Sequence, residues 1–164
     1  MAVRMELSRI LIRELKDLQI IELREMDPDS DIQGSVGGPV PVEKLGKDEQ
    51  ASKNSGGGRS FPIVIGLPEA QAIERRLKGI QIKRPQTHDL LGNVITALGG
   101  SLESITITDL ADHTFFATLD IRGADGELVN VDSRPSDAIA LGIASDVPIY
   151  VAEHVLDAAM TDEL

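Results

Sequence analysis

Val131-Asp132-Ser133-Arg134-Pro135-Ser136-Asp137-Ala138-Ile139-Ala140-Leu141 is the stretch whose reading decides the fold. Its first residues continue an alternating strand, and its last form an apolar helical run. Between them stands a corner holding two aspartates, an arginine and two hydroxyls. Proline suits a first helical turn because its missing N–H has no intrahelical partner there. Asp137 in the same turn complements the positive end of the helix dipole. The corner is thus a strand-to-helix junction. Whether it is more depends on what the rest of the chain brings beside it.

Upstream, His113–Arg122 has a clean period of two, with Phe115, Ala117, Leu119 and Ile121 on one face. Ile105 and Ile107, alternating with Thr106 and Thr108, predict the strand before it, with a turn at Asp109–Asp112. Gly123-Ala124-Asp125-Gly126 predicts the turn after it. Glu127–Asp132 then closes a three-strand meander. Downstream come a helix over 135–144, a short strand at Val147–Val151 and a terminal helix from about Glu153.

Earlier in the chain, Ser60–Gly66 reads as a strand and Leu67-Pro68-Glu69 as a helix start, with Ala70, Ile73 and Leu77 as its apolar face and Gly79 as its stop. Thr87 is the expected N-cap of a helix running to Gly99-Gly100, with Asp89 facing its dipole. Val3, Met5, Leu7, Leu11 and Ile12 mark a first strand, Lys16-Asp17 a turn, and Gln19–Glu25 the returning strand. Leu7, Leu11, Leu15 and Leu18 also fit a helix, but the alternation favours strands. Strands and about four helices without a regular βαβ repeat predict an α+β fold with a mixed or antiparallel sheet.

Asp27–Gly58 differs in character. It holds Pro28, Pro39, Pro41, Gly37-Gly38 and Gly56-Gly57-Gly58, with few apolar side chains. Such a run cannot bury enough apolar surface to offset its ordering entropy. The expected organisation is a hairpin over 1–26, a disordered insertion over 27–58, the main domain over 59–160 and a tail at 161–164.

The chain has 164 residues and 41% apolar content, enough for one real core. With three Phe, one Tyr and no Trp, it lacks the usual platform for stacking bases. No cysteine is present, which removes disulfides and thiolate metal sites. Met1–Met26 holds no apolar stretch long enough for a signal peptide or a membrane span, so a cytoplasmic location is expected. The net charge is −11, so any nucleic-acid role needs a local basic patch. One candidate lies between Glu69 and His88, where Glu69 and Glu74 face Arg75, Arg76, Lys78, Lys83 and Arg84.

The corner also has an echo. Arg84-Pro85 and Arg134-Pro135 are each followed by a hydroxyl and an aspartate, and each leads into an apolar helix. The plain account is one helix-start grammar used twice. The sharper account brings both corners to one polar site. There Asp89, Asp132 and Asp137 with His88 would bind a divalent cation, and Arg84 and Arg134 would clamp a phosphate. Metal-assisted phosphodiester hydrolysis needs such a set. The spacing of His88, His113 and His154 does not suggest zinc, and no Gly-x-Ser-x-Gly elbow surrounds Ser136.

Five ordered blocks carry a resemblance: Phe61-Pro62-Ile63-Val64-Ile65-Gly66 with Glu69-Ala70; Arg84-Pro85-Gln86-Thr87-His88-Asp89-Leu90-Leu91; Thr114-Phe115-Phe116-Ala117; Asp132–Leu141; and Pro148-Ile149-Tyr150-Val151. Together, over roughly Met1–Ala159, the chain resembles the bifunctional nuclease domain family. The resemblance implies an α+β fold, cleavage of DNA and RNA, and a homo-oligomer. It points to His88, Asp89, Asp132, Arg134, Ser136 and Asp137 as catalytic, with Arg84, Thr87 and Arg134 binding substrate phosphate. Asp89, Asp132 and Asp137 would hold Mg or Mn; no organic cofactor and no membrane partner are expected. The alternative is a non-enzymatic oligomeric binding or regulatory domain whose Arg-Pro corners are structural.

Overall fold

The structure, a computed structural model, describes residues 1–12, 18–26, 42–44 and 58–161. The N-terminal alternation forms β1 (Ala2–Ile12), which pairs antiparallel with β2 (Leu18–Glu25). A register shift between Leu7 and Arg9 lets both Leu7 and Ile10 face inward despite two polar residues in succession, as a bulge does. Val42–Lys44 forms β3, parallel to the end of β1, inside the run where the composition predicts no element. The expected turn at Lys16-Asp17 and, of the expected 27–58 insertion, residues 27–41 and 45–57 lie outside the described residues.

β4 (Ser60–Gly66) runs antiparallel to β2 at one end of the sheet, where Pro62 removes no ladder bond needed by an outer neighbour. α1 (Leu67–Leu77) follows, and Gly79, at φ 65°, ends it with a Schellman pair from the Gly79 and Ile80 N–H groups. In α2 (Thr87–Ala97) the N-cap is Gln86 rather than Thr87: the Asp89 carboxylate accepts the Gln86 N–H at 3.1 Å, fixing the helix start one residue early.

β5 (Ser101–Ala111) is longer than the alternation predicts, and β6 (Thr114–Arg122) starts one residue later than predicted. Their turn is Asp112-His113 alone, at φ 50° and 59°, so His113 is a turn residue and not a strand start. A two-residue hairpin loop needs positive φ at both positions, and aspartate tolerates it. β7 (Leu128–Ser133) completes the meander, α3 (Pro135–Ser145) follows, then β8 (Ile149–Ala152) and α4 (Glu153–Thr161). The fold is α+β.

The strand order is β4-β2-β1-β8-β5-β6-β7, with β8 parallel to β5. Phe61 of β4 stacks on Phe115 of β6, ring centres 5.6 Å apart. In a flat sheet strands five places apart would stand roughly 24 Å apart. The sheet therefore coils round its own core. Ile21, Leu23, Ile105 and Ile107 fill that core together with Ala70 and Ile73 of α1, Ile139 and Leu141 of α3, and Val155 and Leu156 of α4. Among the described residues no helix is long and apolar enough to cross a membrane.

Candidate active site

α3 starts where β7 ends, and α2 packs beside α3. That arrangement brings the two Arg-Pro corners towards each other. His88, in the first turn of α2, and Asp137, in the first turn of α3, meet with Nε2 and Oδ1 3.1 Å apart. The other Asp137 oxygen, Oδ2, accepts from Arg134 Nε at 2.9 Å, and a second nitrogen of Arg134 donates to Glu69 Oε1 of α1 at 3.0 Å. Three helix starts are thus joined by one chain of charge-assisted hydrogen bonds, His88–Asp137–Arg134–Glu69.

Burial pushes the Asp137 carboxyl up, but the Arg134 guanidinium and the His88 ring more than offset this and hold it below the ordinary carboxylate value. The bond to Asp137, and then that to Glu69, raises the Arg134 guanidinium further above its ordinary value. An ionised carboxylate only accepts, so the contact with His88 requires the ring hydrogen on Nε2. In the neutral ring Nδ1 is then left with the lone pair. Arg134 has further N–H donors that no acceptor among the described residues takes, and its side chain is 66% exposed.

A cleft of about 1020 Å³ opens over this chain, between α1, the link to α2 and the end of β7. Its walls include Thr87, His88, Asp89, Asp132, Arg134 and Asp137, so six of the sequence-predicted site residues share it. Two do not. Ser136 is buried within α3, its short side chain turned to the core and not to the cleft. Arg84 is exposed on the link before α2, without an ion pair among the described residues, and it is not on the wall.

The three carboxylates expected to hold a metal do not fit one ion as they stand. Among the described residues no three His, Asp or Glu side chains gather as ligands. Asp89 accepts the Gln86 N–H, and both oxygens of Asp137 are taken by Arg134 and His88.

Glu69, Arg75 and Arg76 also line the cleft; the sequence places the two arginines in a candidate basic patch but none of the three among the site residues. An acid in a first helical turn reads as dipole chemistry, which hides Glu69. Its signal is Gly66, where a side chain would run into Glu69 Oε2.

With this geometry in hand, known proteins are informative. Over 104 residues the chain is 42% identical to an uncharacterized protein of Mycobacterium tuberculosis, covering 63% of this chain and 61% of that protein. Over 102 residues it is 26% identical to bifunctional nuclease 1 of Arabidopsis thaliana, covering 61% of this chain and 31% of the plant protein. Bifunctional nuclease 1 of rice is 24% identical over 97 residues. The chain therefore spans less than two thirds of these relatives' own lengths. The N-terminal hairpin, which the sequence reading includes in the resemblance, lies outside the family match. Residues 52–163 match the bifunctional nuclease domain, and the chain belongs to that family.

Proposed function

We propose that the cleft hydrolyses phosphodiester bonds of DNA and RNA. The observation that carries this reading is the His88–Asp137–Arg134–Glu69 chain on the cleft wall; family membership and the plant relatives' names support it. A route common to both substrates cannot use the ribose 2′-hydroxyl, so the nucleophile is water. His88, oriented by Asp137, takes the water proton at Nδ1 as the oxygen attacks phosphorus. The bond to the leaving sugar oxygen breaks, and that oxygen takes a proton from solvent. Arg134, steadied by two carboxylates, presents its remaining donors to the phosphate oxygens as charge develops.

The test is cleavage of labelled single-stranded DNA and RNA, with Mg²⁺ or Mn²⁺ added and with EDTA. Asp137→Asn is expected to lower cleavage at least about 100-fold, the lower end of what a positioned acid–base group contributes. Undiminished cleavage by that variant would mean a contaminating nuclease and would end this reading.

A second reading, a non-enzymatic binding domain, draws support from the internal pairing of Arg134 with Asp137 and Glu69. It expects no turnover in the same assay with either metal.

We also propose that the chain acts as a homo-oligomer joined through α2 and β7. α2 carries Leu90, Leu91, Val94 and Ile95 yet buries none of its residues; Leu90 is 55% exposed, and Leu98, the residue that caps the helix, 78%. Beside it, β7 pairs with β6 alone among the described residues and exposes Leu128 and Val129 outside the cleft. A second copy of the same edge is self-complementary, since antiparallel strands related by a two-fold axis continue one ladder.

A further inference from the structure

We infer that the α1 wall of the cleft is a phosphate track for a single strand of nucleic acid, with Arg75 and Arg76 holding phosphates next to the one at Arg134. This rests on the phosphodiester reading above. The chain has 27 acidic and 16 basic residues, so a base has acids to pair with almost anywhere. Arg9, Arg24, Arg59, Lys78, Arg122 and Arg134 each hold a carboxylate. Arg75, Arg76, Lys83 and Arg84 hold none among the described residues, and all four lie on α1 or on the link to α2. Adjacent cations left without acids in an acid-rich protein repel each other until an anion arrives from outside.

Position supports the same occupant. α1 rises roughly 1.5 Å per residue, so Arg75 and Arg76 stand about 9–10 Å along the axis from Glu69, the anchor of Arg134. About one or two nucleotides of an extended strand span that distance. Besides the arginines, the cleft lining offers Ile80, Ile82, Leu91 and Val131. An unpaired strand can lay bases on such an apolar wall while its phosphates follow α1. A duplex keeps its bases stacked inside and presents sugar and phosphate to both walls. His88 is also recessed, its side chain 16% exposed, behind the more exposed Arg134. With no tryptophan or tyrosine on the wall, phosphate contacts dominate binding, and affinity falls steeply with salt.

The experiment measures fluorescence anisotropy of a labelled phosphorothioate thymidine octamer on the whole protein across a salt series. The Arg75→Ala/Arg76→Ala variant is expected to bind at least about tenfold more weakly. Its log–log salt slope should be shallower by about 1.4, two phosphate contacts at roughly 0.7 each. Arg75→Lys/Arg76→Lys should keep most of the affinity, which separates lost charge from lost folding. Hydrolysis of bis(p-nitrophenyl) phosphate, too short to reach α1, should keep its kcat and KM in the alanine variant. Unchanged octamer affinity in that variant, equal affinity for a blunt duplex of the same length, or equal displacement by polyglutamate would each overturn the track. Octamer binding as expected with no cleavage of any substrate would end the hydrolysis reading and leave the track standing. Cleavage with unaltered binding in the alanine variant would do the reverse.

Discussion

Arg134 is held by carboxylates from two helices, and that double hold is a property of single residues. Removing Glu69 leaves the Asp137 bond in place but frees the guanidinium to swing. Because Arg134 is largely exposed, the pair with Glu69 adds at most about 1 kcal/mol to stability. Glu69→Gln is therefore expected to leave thermal unfolding nearly unchanged while lowering kcat/KM roughly tenfold through misplacement. Gly66→Ala should give a milder version of the same defect by pushing the Glu69 carboxylate aside. A large drop in melting temperature for Glu69→Gln would show a structural role instead.

Asp137 adds a pH signature. Its folded value lies below the ordinary 3.8, so its ionisation stabilises the fold above that value, and the contribution is lost as pH falls through the depressed one. Denaturant titrations of the wild type and Asp137→Asn should differ at neutral pH, and the gap should shrink in acid. A gap independent of pH would mean that the charge plays no part.

At the scale of elements, α3 links core and cleft. Its start carries Arg134 and Asp137 to the cleft, and its second turn buries Ile139 and Leu141 in the core. Leu141→Ala should cost about 2–5 kcal/mol, read as a shifted denaturant midpoint, because the coiled sheet cannot close over the cavity. α2 behaves in the opposite way. Its exposed apolar face contributes little to the folding of one chain, so Leu90→Glu/Leu98→Glu should leave unfolding of the single chain almost unchanged and lower the mass seen by light scattering. An unaltered mass would remove α2 from the interface. Capping made both helix ends legible in advance, since Gly79 and Gly99 sit at positive φ where the chain leaves the helix. The N-cap of α2 was harder to read, because Thr87 and Gln86 compete for one position and the Asp89 carboxylate decides between them.

Across the whole molecule, the ends of the Gly/Pro-rich run meet: Glu25 N–H donates to the Arg59 carbonyl at 2.8 Å, and the Arg59 side chain pairs with Glu25 and Glu153. Deleting 27–58 and closing β2 onto β4 with a short turn should therefore keep cooperative unfolding. Loop closure improves by about 0.6 kcal/mol for each halving of loop length, against the loss of β3 from the side of β1. Broad, non-cooperative unfolding would show that the run carries part of the fold.

Alternation, turn residues and caps act over a few neighbours, and they alone determined the hairpin, the meander, the four helices and the α+β class. They also placed His88, Asp89, Arg134 and Asp137 at helix starts, where polar side chains are wanted for local reasons. Whether those starts converge depends on strand order and on the coiling that brings Phe61 against Phe115, and both arise from burial between residues far apart in the chain. Tertiary packing likewise decided that Ser136 faces the core, that Glu69 joins the hydrogen-bonded chain and that Arg75 and Arg76 line the cleft. Local propensity carries no term for such long-range contacts, so the corner Asp132–Leu141 was legible as a helix start and became part of a site only through the fold.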